Sequence, residues 1–222
     1  MIGFRVAEPV ARVDPALVAR ARAVPVSCVS DCMSRMFGMG AAIRPLHGGG
    51  ASLAGPAITV RARPGDNLML HKAIDMAQPG DVIVVDGGGD LAHALIGAMM
   101  LTNAITRGVA GLVINGAVRD LSWIAGQAMP VFAVGVSHRG PLKDGPGEVN
   151  FPIAINGTVI MPGDLVLGDA DGVVAVARAD APAVIDAAEK KHAAETKTLQ
   201  SGNPKQHGWI DAQLLEQGCA LP

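Results

Sequence analysis

The chain has 222 residues and a formal net charge of −2, so it lacks the basic face through which nucleic acid is bound. Four Phe, two Trp and no Tyr also leave it without the stacking platforms that hold single strands. Half of the residues are hydrophobic, enough for the core of one domain over 1–222. No apolar run is long enough for a membrane span and MIGFRVAEPVARVDP lacks a signal-peptide core, so a soluble, cytoplasmic protein is expected.

Asp14 followed by Pro15 marks a helix start. Aspartate accepts from first-turn amides, and proline loses nothing where the N–H would be unpaired. An alanine-rich helix is predicted from there to about Val24. After Pro25, SCVSDCMSRMFGMG reads as a second helix, capped by Ser27 and stopped by Gly38 and Gly40. Its spacing puts Cys28 and Cys32 on one face. With Cys219 they form an odd, sparse set that reads as reduced thiols, the first two packed as small hydrophobes. Gly48 to Gly50 form a loop. ITVRARP, residues 58–64, alternates as a half-buried strand does, and His71 to Met76 is a short helix ended by Pro79-Gly80.

The centre is the clearest part. Residues 82–85 of DVIVVDGGG, 111–118 (GLVINGAV) and 131–136 (VFAVGV) are predicted strands. Helical stretches lie between them, Asp90 to Arg107 closed by Gly108 and Leu121 to Ala128 closed by Pro130. That order predicts βαβαβ with a parallel layer, both helices on one face unless strand order reverses. Beyond residue 150, short segments separated by Asn-Gly, Pro-Gly-Asp and Asp-Gly turns predict antiparallel strands in a second layer or small barrel. A helical extension follows over about 181–222. Ala181 to about Leu199 is amphipathic with Glu189, Lys190 and Lys191 in solvent. In the tail, Trp209, Leu214 and Leu215 need a surface, which suggests a neighbouring subunit.

DGGGDLAHALIG follows a strand but does not keep the G-x-G-x-x-G spacing of a dinucleotide loop. GLVINGAVRD is the informative segment. A buried strand ends in Arg119 and Asp120, where ligands bind in open α/β sheets. Arginine is a fork for carboxylates and aspartate a hard oxygen donor for Mg²⁺ or Mn²⁺. Equally, the two could cap the next helix and pair on the surface. Gly97 interrupts the pattern of 90–107. A helix restarting there would offer the amides of Ala98, Met99 and Met100 to an anion. One continuous helix with Gly97 at a packing point is the plainer reading.

LIGAMMLTNAITRGVAGLVINGAVRDL, with SCVSDCMSRM, HRGPLKDGPGEVNFPI and VIMPGDLVLGDADGVVAV, resembles the family of 4-hydroxy-4-methyl-2-oxoglutarate aldolases, over roughly residues 25–190. That family also holds the regulator of ribonuclease activity A. The resemblance implies an α/β/β/α layered sandwich like the phosphohistidine swivelling domain, assembled as homotrimers or homohexamers with sites between subunits. It implies a small 2-oxo acid substrate and a divalent metal, Mg²⁺ or Mn²⁺. Arg119 would hold the pyruvyl carboxylate and oxo group, Asp120 the metal, and Gly97, Ala98, Met99 and Met100 the substrate through their amides. Asp31 aligns with an acidic residue that the family donates across an interface.

In this chain Ala98 stands where active aldolases usually have an acidic residue. Oxaloacetate decarboxylation is therefore expected ahead of aldol cleavage, with His93 as a proton donor in place of the absent carboxylate. His71 is a similar candidate, and Lys143 and Glu148 fall in a glycine-rich loop, 139–148, suited to a mobile rim. The competing expectation is a non-catalytic, protein-binding regulator of a ribonuclease on the same fold.

Overall fold

The computed structural model describes residues 1–202 and 208–222. The apolar runs become strands that pair in parallel. β3 (Leu53–Ala62), β4 (Val82–Asp86), β6 (Gly111–Val118) and β7 (Val131–Val136) lie side by side in that order. Antiparallel β2 (Arg44–Pro45) extends the β7 edge. At the other edge β8 (Gly147–Val149) pairs antiparallel with β3, and β1 (Phe4–Val6) parallel with β8.

Successive side chains of a strand point to opposite faces, and β4 shows the consequence. Ile83 and Val85 face α3 (Leu68–Met76), α4 (Ala98–Thr106) and α5 (Leu121–Ala125), packing with Leu70, Ile74, Leu101 and Ile124. The connecting helices thus share one face, because strand order does not reverse within β3–β4–β6–β7. Val82 and Val84 face the other way with Val113 and Phe132, onto Ile153, Ile155, Ile160, Val166 and Val173. These belong to the hairpins β9 (Ile153–Ile155)/β10 (Thr158–Ile160) and β11 (Leu165–Asp169)/β12 (Gly172–Val176). Asn156 and Gly157, both at positive φ, close the first hairpin as a two-residue Asn-Gly turn does.

The outer side of β11 and β12 carries α1 (Pro15–Arg22), α2 (Val26–Cys32) and α6 (Ala181–Gln200) over Leu17, Ala21, Cys28, Val29, Ile185 and Ala188. The layers run α/β/β/α. No described helix is long and apolar enough to cross a membrane. α7 (Gly208–Glu216) ends the chain with Trp209 and Leu215 exposed. Residues 203–207 of the predicted extension lie outside the described residues.

Several expectations need correction. β3 begins at Leu53, and of its ten residues only Arg61 is exposed. Both of its faces are covered, so the half-buried reading fails. Asp14 does cap α1, its Oδ1 accepting from the Ala16 amide at 2.8 Å. By contrast, α2 starts at Val26 with no side-chain cap and stops at Cys32, because Ser34 and Arg35 turn left-handed (φ 58° and 62°). Glu189 and Lys191 are not simply solvated. Arg20 binds Glu189 and Asp186, while Lys191 bridges Asp31 at 3.1 Å and Glu195 at 2.8 Å. Lys190 is exposed as expected.

Candidate active site

The stretch read as one helix, 90–107, divides in two. Ala94–Ile96 form β5, parallel with the end of β6, and α4 begins at Ala98 with Gly97 as its N-cap. The plainer reading is overturned, since pairing with β6 outweighs the helix preference of Ala and Leu. As a result, the amino end of α4 lies beside the carboxyl end of β6. Gly97 is extended (φ −150°), so glycine is not needed there for its backbone. It is needed for room. A Cβ would lie 2.5 Å from Asp120 Oδ2 and 2.8 Å from Arg119 Cγ.

Asp120 adopts the left-handed conformation (φ 62°, ψ 40°) and does not cap α5 with its side chain. Its Oδ2 instead accepts from the Ala98 amide at 2.8 Å. The carboxylate thus caps the neighbouring helix, where the macrodipole favours negative charge. Of the first-turn amides expected to meet an anion, Ala98 is taken. Those of Met99 and Met100 precede any i−4 carbonyl of the helix. Arg119 donates its amide to Ile96 O at 2.9 Å, which fixes the backbone. Its Nε stands 3.9 Å from Asp120 Oδ2, a loose contact that leaves most of the fork's donors open.

A cleft of about 430 Å³ opens here, walled by Leu95, Ile96, Met100, Pro141 and Gly97, with Arg119 at one side. Asn67, His71 and Lys143 also line it. Asn67 is 2% exposed. Its Nδ2 donates to Leu95 O (2.9 Å) and Met100 Sδ (3.1 Å), while Oδ1 has no partner. Buried polar atoms are nearly always paired, and this acceptor is an exception set just behind the surface of the cleft wall. Sequence reasoning passed over Asn67. The available signal was Asp66-Asn67 ahead of an apolar helical run. Asp66 accepts from the amides of Leu68, Asp144 and Gly145, which ties the start of α3 to the loop carrying Lys143.

The other candidates lie elsewhere. His93 sits 3.6 Å from Asp90 Oδ2 and is not part of the cleft lining. Asp31 is on α2, in the opposite helical layer, paired with Arg35 and Lys191. Glu148 is on no mobile rim. It is 2% exposed in β8 and accepts from Arg5 Nε (2.7 Å), Arg61 Nη1 (3.0 Å) and the Gly3 amide (3.1 Å). Burial alone would raise its pKa, but these donors together hold it below the ordinary glutamate value. Cys28 is buried and bonded to Glu195; burial first, then that contact, push its thiol up to about 11, so it is protonated and inert.

Among the described residues no three His, Cys, Asp or Glu come together to cage an ion. A single carboxylate is nevertheless a fit for Mg²⁺, which keeps most of its water and needs one or two protein carboxylates. Asp120 has one oxygen engaged by Ala98 and its other oxygen available.

The Aldolase/RraA family model, RraA-like, matches residues 26–175, more than half of the chain. The chain belongs to the RraA-like family. A protein of Halalkalibacterium halodurans with the provisional name 4-hydroxy-4-methyl-2-oxoglutarate aldolase is 40% identical over 172 residues, covering 78% of this chain and 81% of that protein. The RNA-processing inhibitor RraA from Thermus thermophilis superposes with a TM-score of 0.63 at 30% identity, over 68% of this chain and 92% of that one. RraAS2 of Streptomyces coelicolor, an unusual member of the RNase ES inhibitor RraA protein family, gives 0.77 at 24% identity, over 86% and 100%; this last likeness concerns the fold alone. The RraA-like fold of these neighbours is the layered one described above, as the resemblance implied.

Proposed function

We propose that this RraA-like chain is a divalent-metal-dependent carbon–carbon lyase acting on 2-oxo acids. The observation that carries the proposal is the meeting of Asp120, the open amino end of α4 and Arg119 at the edge of a cleft that Arg119 itself lines. A bound Mg²⁺ or Mn²⁺ at Asp120 supplies Lewis-acid polarisation of the 2-oxo group. The amides of Met99 and Met100, at the positive end of the helix, hold the α-carboxylate. Arg119 donates to the 2-oxo oxygen and stabilises the charge that collects there as the neighbouring bond breaks. Leu95, Ile96 and Met100 keep water away and strengthen those electrostatic contacts. With oxaloacetate the departing group is carbon dioxide, and no proton has to be removed first.

The deciding assay measures pyruvate release from oxaloacetate and from 4-hydroxy-4-methyl-2-oxoglutarate, with and without Mg²⁺ or Mn²⁺. Asp120→Asn should retain the fold by circular dichroism and lose metal-dependent turnover by at least ~10²-fold, more than loss of a group that merely supports a ligand. Normal Mg²⁺ activation in the folded variant would refute the assignment. Absence of turnover in the native protein, together with binding to a ribonuclease, would favour the regulator instead.

We also read the protein as a cytoplasmic homo-oligomer, a trimer or hexamer, with Asp31 offered to the cleft of a neighbouring copy. The exposed Met36 (74%), Phe37 (48%) and Val159 (60%), which line one groove, support this, because contiguous apolar patches mark interaction surfaces. Light scattering at micromolar concentration tests it, and a monomer there contradicts both the assembly and the role of Asp31.

A further inference from the structure

Aldol cleavage, unlike decarboxylation, must remove a proton from the substrate's hydroxyl. Among the described residues no Asp or Glu lines the cleft; Asp120 stands at its edge with one oxygen held by the Ala98 amide, and position 98 is alanine. His71 does line it, half-buried on α3 one turn beyond Asn67. Its backbone amide is bonded to Asn67 O, but among the described residues neither ring nitrogen has a hydrogen-bond or ion-pair partner. Histidines with structural roles here look different. Both ring nitrogens of His47 are engaged, with Val131 O and Ala51 O, and His93 pairs with Asp90 outside the cleft.

We propose that His71 is the base of aldol cleavage in this cleft, an inference that rests on the lyase reading above. The neutral ring takes the proton of the hydroxyl on C4. The O–H electron pair becomes the new C4 carbonyl bond, and the C3–C4 bond breaks. Its electrons pass through C3 to the 2-oxo oxygen beside Arg119. The carbonyl fragment departs, and the imidazolium returns its proton to C3, leaving pyruvate and a neutral ring. No oxidant or second proton source is needed.

Electrostatics suit the task. Burial first, and then the charge of Lys143, hold the ring below the ordinary histidine value, so at neutral pH it is unprotonated and able to accept. The charged groups sharing the cleft with it are Lys143, from the loop before β8, and Arg119, at the end of β6. β5 and α4 line the cleft with apolar residues only. On its own helix, Lys72 and Asp75 are exposed and pair with each other.

The test uses the Mg²⁺-loaded full chain with both substrates. His71→Gln should lower the ratio of kcat/KM for aldol cleavage over decarboxylation on the order of 10²-fold, the usual scale of general-base help. In the native enzyme aldol cleavage should rise with pH along a limb below about 6.5. The limb should vanish in His71→Gln and move to higher pH in Lys143→Met. Ala98→Asp added to His71→Gln should restore part of the cleavage by supplying another base. An unchanged ratio, or a limb that persists without His71, overturns the assignment. So does a native enzyme that decarboxylates oxaloacetate but does not cleave the hydroxy acid, and in that case the lyase reading stands. Release of pyruvate from neither substrate defeats the lyase reading itself.

Discussion

The carboxyl end of the parallel strands and the β8 edge of the same sheet treat charge in opposite ways. At the edge, Glu148 is buried and surrounded by donors from β1, β3 and the amino terminus. In the cleft, His71 and Lys143 have no protein partner among the described residues, and Arg119 has only a contact at 3.9 Å. The comparison teaches that pairing, rather than burial or residue type, separates charges that hold a fold from charges kept ready for a ligand. A paired group has its interaction energy built into the folded state. An unpaired one at a cleft wall can still gain it.

Two substitutions sharpen this contrast. Gly97→Ala puts a methyl group where Asp120 Oδ2 and the Arg119 side chain now lie. Displacing both by the better part of an ångström should lower pyruvate release by about 10²-fold, with little change in the unfolding midpoint. Activity near the native level would show that the close packing of these three residues is not required. The smaller effect belongs to the edge. Glu148→Gln keeps one acceptor and removes the charge, so unfolding should become easier by about 1–3 kcal/mol with turnover nearly unchanged.

That second variant also has a pH signature. Because the folded pKa of Glu148 lies below the ordinary 4.5, its contribution is complete above that value and is lost as pH falls through the folded value. Native protein should therefore lose stability faster than Glu148→Gln below about pH 4.5, as read by denaturant midpoints. Parallel loss in both proteins would mean that Glu148 is not a stabilising carboxylate.

The strands at 82–86, 111–118 and 131–136 were legible because each is a buried apolar run bounded by turn residues. Arg119 and Asp120 were legible because charges at the end of such a run are conspicuous. What the sequence concealed depends on distant partners. Ala94–Ile96 carries helix-favouring residues and is a strand only because β6 runs beside it. Glu148 looked like part of a mobile rim because its arginines are 143 and 87 positions away. His71 and His93 could not be ranked from the sequence. Both sit in apolar–polar surroundings, and only the fold turns one toward the cleft and the other toward Asp90. Asn67 escaped notice because an orphan acceptor is defined by what fails to reach it.

The left-handed backbone at Asp120 has a consequence for variation at this position. Glycine adopts it without steric cost, asparagine and aspartate tolerate it, and other residues give up about 1–2 kcal/mol to sit there. Random mutagenesis screened only for soluble, heat-resistant protein should therefore accept asparagine or glycine at 120, whereas the same library screened for growth on a 2-oxo acid should return aspartate. The gap between the two sets of survivors measures how far chemistry selects among the few residues that this backbone tolerates.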